Sequence, residues 1–194
     1  MLINFSNILP LPTIFGILIG FAILMYILLD GFVLGVGILF PFAPSNKCRE
    51  SLMHSIAPFW DANQTWLVLG GGGLLISFPL AYSILLAAYY VPIICMLIGL
   101  VFRGACFEFY MKESEPSIKM LWSYGFHFGS LCAAFFQGCI LGSYIQGVTV
   151  IGRNFAGQSW DWFSGLSMMM GILLVFGYAL IGASWGIIKT SEET

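Results

Sequence analysis

From Ala62 to Phe102 the chain has no Asp, Glu, Lys, Arg or His. A stretch of that length without charge is foreign to water-soluble folds. In a bilayer every backbone N–H and C=O must be satisfied within the protein, which admits helices or closed barrels. An apolar helix crosses the hydrocarbon core in about 20 residues. The run is too long for one ordinary crossing, and Ser77-Phe78-Pro79 is its natural break. Charged residues make up 8% and apolar residues 59% of the 194, with a mean hydropathy of +0.94, whereas soluble domains carry about 25% charged residues. The expectation is an all-α, polytopic membrane helix bundle, a single transmembrane domain over 1–194.

Five membrane-spanning helices are expected, at about 13–40, 56–77, 80–105, 122–146 and 163–188. Pro10 and Pro12 precede the first, and Pro41 and Pro44 close it, because proline is tolerated in a first helical turn and disrupts later ones. Lys47, Arg49, Arg103, Lys112, Lys119 and Lys189 fall on one side of this arrangement and Arg153 alone on the other. Short loops rich in Lys and Arg stay in the cytoplasm. The N-terminus is therefore expected outside, with the C-terminus, Asp61 and Glu108 towards the cytoplasm. No Lys or Arg precedes the first apolar run, so the basic start of a signal peptide is missing and the first helix should remain in the mature protein.

Composition also excludes function classes. Seven Lys and Arg, scattered singly against nine acids, give no surface for nucleic acid. Cysteines 48, 95, 106, 132 and 139 form no CxxC pair and read as small buried hydrophobes. Gly70-Gly71-Gly72-Gly73 lacks the Lys-Ser or Lys-Thr of a phosphate loop, so it reads as helix packing or a kink. His54, expected in a loop, and His127, near the start of the fourth helix, are isolated from each other in sequence. No haem or metal is expected to be held by this chain alone.

Intramembrane carboxylates mark ion paths and proton relays. Asp30 and Asp61 lie at similar distances either side of the first cytoplasmic loop, so in an antiparallel helix pair they share a depth and could face one another. Glu108 and Arg103, five residues apart near the inner end of the third helix, do not share a face squarely. Arg103 either pairs with another helix or snorkels to the headgroups. Asn63 and Gln64 can hold water beside Asp61, and Trp60, like the other tryptophans, sits near a span end where indole anchors to headgroups. Asp61, Asp30 and Glu108 are thus the proton-relay candidates, with Arg103, Trp60, Asn63 and Gln64 in support. Gly16 with Gly20, Gly31 with Gly35, and Gly138 with Gly142 are spaced for close helix approach.

Asp30-Gly31-Phe32-Val33-Leu34-Gly35-Val36-Gly37, followed by Ser55-Ile56-Ala57-Pro58-Phe59-Trp60-Asp61-Ala62-Asn63-Gln64, resembles subunit II of the cytochrome bd-type quinol oxidases. Phe102-Arg103-Gly104 with Phe107-Glu108, Phe128-Gly129-Ser130-Leu131, and Gln137-Gly138 through Gln146-Gly147 extend the likeness over nearly the whole chain. The resemblance implies a haem-free subunit of a terminal oxidase in the bacterial cytoplasmic (inner) membrane, which oxidises quinol and reduces oxygen to water. It further implies a haem-bearing subunit I as partner, a possible small accessory subunit, contact with membrane lipid, and proton uptake from the cytoplasm at the position of Asp61. Many members carry a second carboxylate where this chain has Val33, and family chains continue through further spans. The resemblance is therefore to an N-terminal portion. A reading from another class is a transporter or channel segment in which Asp30 and Asp61 bind a translocated cation. It would call for an inverted repeat.

Overall fold

The computed structural model describes residues 10–189. The N-terminal segment expected outside, 1–9, and the tail 190–194 lie outside the described residues. Helix α1 (Leu11–Leu39) ends in a tight 3-10 turn, Phe40–Phe42, at Pro41. There follow α2 (Asn46–Ile56), α3 (Gln64–Ser77), α4 (Pro79–Ala88), α5 (Tyr90–Lys112), α6 (Pro116–Gln146) and α7 (Gly165–Lys189). A two-stranded hairpin, β1 (Val150–Ile151) and β2 (Asn154–Phe155), precedes α7. Gly152 takes a φ of 64° in its two-residue turn, where a side chain is disfavoured.

Among the described residues, four helices are long and apolar enough to cross a membrane: Leu11–Phe42 (with its terminal turn), Tyr90–Lys112, Pro116–Gln146 and Gly165–Lys189. The fold is a mainly helical, polytopic bundle. The 14 residues of α3 extend roughly 21 Å at 1.5 Å per residue, short of the ~30 Å core. This helix begins at Gln64, not near residue 56, because α2 ends at Ile56 and 57–63, with Pro58 inside it, forms irregular turns. The stretch expected as one helix over 80–105 is broken at Tyr89 (φ −109°, ψ 21°). Pro92 has no N–H for the carbonyl of Ala88, four residues earlier, so the ladder cannot run through. The fourth helix starts earlier than expected, at Pro116, a first-turn proline, and stops at Gly147, whose φ is 82°. His54 lies on the polar helix α2 and not in a loop.

Helix α6 is central and packs on α5, α7 and α1, while α1 also packs on α3 and α7. Between apolar helices in lipid, close approach depends on small residues. A Cβ on Gly35 would run into the Tyr178 carbonyl, and one on Gly182 into the backbone of Gly35, so α1 and α7 touch backbone to backbone. Gly16 and Gly20, expected as a similar pair, have nothing within 4 Å. The glycine run is helical, with Gly70 against Ile23 and Gly73 against Ile19. Helix α3 therefore lies antiparallel along α1.

Candidate functional site

Where the four long helices meet, a buried ion pair joins α1 to α5. Arg103 Nη2 donates to both carboxylate oxygens of Asp30, at 2.6 and 2.8 Å, and each side chain is 1% exposed. Of the two alternatives for Arg103, the structure has the pairing with another helix and not the snorkel. One expectation is corrected: Asp30 faces a guanidinium, not a second carboxyl. Close packing brings the two together. The backbone of α5 lies against α6 at Gly99 and Gly129, where an added Cβ would meet Ala133 N at 2.9 Å and Arg103 N at 2.8 Å respectively. Arg103 Nε and Nη1 and Ser130 Oγ are buried without a protein hydrogen-bond partner.

The pair continues into a polar chain. Tyr26, one helical turn before Asp30, lies next to its carboxylate. The Tyr26 hydroxyl accepts from Gln137 Nε2 at 2.6 Å, and Gln137 Oε1 accepts from the Tyr178 hydroxyl at 2.8 Å. Arg103 on α5, Asp30 and Tyr26 on α1, Gln137 on α6 and Tyr178 on α7 thus link all four long helices. Tyr26 and Tyr178 were not singled out from the sequence. Tyr26 falls four residues before Asp30, the spacing of neighbours on one helix face, which is the one local signal for it.

Asp61 is exposed, in the turn 57–63. Its surroundings are tied to the buried pair. Asn63, 4% exposed, donates from Nδ2 to the Leu29 carbonyl at 2.6 Å, beside Asp30. The depth expected for this turn is therefore the one found, although Asp30 and Asp61 do not share a contact. Trp60 packs on Phe107 with ring centroids 5.0 Å apart and covers Gly104, the residue after Arg103. It is thus a packing residue between the turn and α5. Gln64, half-buried, opens α3. Glu108 stands apart, in a surface ion pair with Lys112 at 2.9 Å. His127 Nδ1 lies 3.2 Å from the Gly37 carbonyl, the geometry of a ring N–H donating to it. His54 is exposed. Among the described residues no three His, Cys, Asp or Glu side chains cluster as metal ligands.

One end of the bundle gathers basic residues. Lys119, near the start of α6, pairs with Glu50 on α2 at 2.7 Å, and Lys189 lies over the ring of Trp185, whose indole donates to Ser55 at 3.1 Å. The Glu50 carboxyl titrates below its ordinary value because Lys119 hydrogen-bonds to it and adds its positive charge, with a smaller effect from His54.

The chain is 35% identical over 136 residues to cytochrome bd-I ubiquinol oxidase subunit 2 of Escherichia coli (strain K12), covering 70% of this chain and 36% of that one. It is 32% identical over 170 residues to cytochrome bd ubiquinol oxidase subunit 2 of Bacillus subtilis (strain 168), covering 85% and 50%. A probable cytochrome oxidase subunit 2 of Haemophilus influenzae matches at 28% over 182 residues, covering 91% and 47%. The chain thus spans between about a third and a half of these relatives' length. The family profile described as cytochrome bd terminal oxidase subunit II matches residues 11–194, through Asp30, Asp61, Arg103 and Gln137 alike, and the chain belongs to that family.

Proposed function

We propose that this chain acts within a bd-type terminal oxidase of the bacterial cytoplasmic membrane, beside a haem-bearing subunit I, and that its own contribution is proton uptake from the cytoplasm through Asp61. The complex would oxidise quinol and reduce oxygen to water, with the haems in the partner and the quinol as its substrate. The basic end of the bundle is read as cytoplasmic by the positive-inside rule. Asp30 and Arg103 organise the interior behind Asp61 and hold α1 against α5. Glu108, paired with Lys112 at the surface, keeps a lesser, charge-attracting part near the inner mouth.

The observation that carries this reading is the position of the Asp61 turn. Asn63 holds it against Leu29, and α1 runs ten residues further to Leu39, roughly 15 Å at 1.5 Å per residue. Irregular backbone and an exposed carboxylate at such a depth are tolerated where protein covers them or water reaches them. A partner-covered, hydrated cleft meets both conditions, and it is the geometry of a proton inlet.

Asp61→Asn in the assembled complex tests the reading, since it keeps size and hydrogen bonding but removes the titratable proton. Oxygen-reduction turnover should fall by about 10²- to 10⁴-fold if no parallel route exists, with haem content unchanged. Wild-type turnover in a fully assembled variant would refute the relay. Loss of haem in step with activity would make Asp61 a structural residue instead.

A further inference from the structure

At the opposite end of the bundle from Asp61, the break between α4 and α5 closes over a small cavity that the proton-uptake reading does not use. Its volume is about 50 Å³, and Tyr89, Ser143, Trp162 and Asp161 are among its lining residues. Tyr89 is 3% exposed, Ser143 4% and Trp162 5%. The Trp162 indole N–H is buried without a hydrogen-bond partner in the protein, and the buried Tyr89 hydroxyl has only the Ser143 hydroxyl beside it. An unpaired indole N–H on a residue lining a cavity is unusual, since buried polar groups in native proteins are nearly always satisfied by protein or ordered water. Ala88 also lines the cavity, and its carbonyl is the one that Pro92 cannot serve.

We propose that this cavity is a built water site. A water molecule occupies roughly 30 Å³ in the liquid and needs two to four polar partners, so the space and the partner set suit one or two waters. Such a water accepts the Trp162 N–H, exchanges hydrogen bonds with the Tyr89 and Ser143 hydroxyls, and donates towards Asp161. Asp161 is exposed, and one of its oxygens accepts the Gln158 N–H at 2.8 Å, so the carboxylate retains lone pairs for the water and connects the site to bulk solvent. The water fastens the loop bearing Trp162 to the ends of α4 and α6.

Radiolytic hydroxyl-radical footprinting of the assembled complex, read by mass spectrometry, tests the site because bound water generates radicals where it sits. Tyr178 is the internal reference, a tyrosine 1% exposed with its hydroxyl engaged by Gln137. Tyr89 should label several-fold faster than Tyr178 despite similar burial, and Trp162 labelling should fall several-fold in Tyr89→Phe. In a Tyr89→Phe, Trp162→Phe cycle the two losses of thermal stability should be coupled, because one water serves both groups. Tyr89 labelling no faster than Tyr178 would overturn the proposal, as would strictly additive losses. A lipid or quinone oxygen in the cavity would protect both residues and equally refute the water assignment.

Discussion

Neutralising Asp30 provides the sharpest test of the buried pair. Asp30→Asn leaves the Arg103 guanidinium, 1% exposed, without its counter-charge. Removing one partner of a buried ion pair costs about 3–5 kcal/mol. For a chain of this size each kcal/mol moves Tm by about 2–4 °C, so the complex should melt roughly 6–20 °C lower. Arg103→Met should cost a similar amount by stranding the carboxylate. The pair as a unit is less valuable than either loss implies, because both charges were desolvated to form it. The double variant Asp30→Leu, Arg103→Met should therefore lose less than the sum of the single losses, with a coupling of about 0.5–3 kcal/mol. The assay is thermal unfolding in detergent, followed by circular dichroism and by haem retention of the complex. Single variants as stable as wild type, or a double variant equal to the sum, would refute the argument that the pair holds α1 to α5.

Two further outcomes follow from the packing and the surface charges. Gly35→Ala places a Cβ against the Tyr178 carbonyl and should destabilise by about 1–3 kcal/mol through overpacking, while Gly16→Ala, with nothing within 4 Å, should be neutral when the two are melted side by side. The Glu50 carboxyl is held below its ordinary 4.5 by Lys119. Its pairing therefore stabilises above that ordinary value and is lost as pH falls through the lower folded value. Glu50→Gln should remove this part of the acid-side stability loss in a pH series of melting curves. The effect should stay under about 1 kcal/mol, because Glu50 is 52% exposed.

The uncharged run 62–102 was enough to establish a helical membrane bundle, because a bilayer leaves few other ways to satisfy a backbone. Pro41 announced the end of the first helix in the sequence, as proline sterics act within one turn, whereas Pro116 was read as part of a loop. The shared depth of Asp30 and the Asp61 turn was also legible, since counting residues from a common loop measures height along antiparallel helices. The break at Tyr89 had a local cause in Pro92 but was read as continuous helix, because proline is accommodated in some membrane helices and not in others. What Asp30 faces was decided by tertiary structure. Its partner lies 73 residues away on α5, and that contact depends on α5 and α1 both closing onto α6 at glycines. Tyr26, Gln137 and Tyr178 come together for the same reason. In a soluble helix an apolar stripe marks the inward face. In lipid both faces are apolar, so the sequence shows where helices run and how deep each residue sits, while their rotation about their axes, and hence which polar side chains meet, is chosen by small-residue packing between helices.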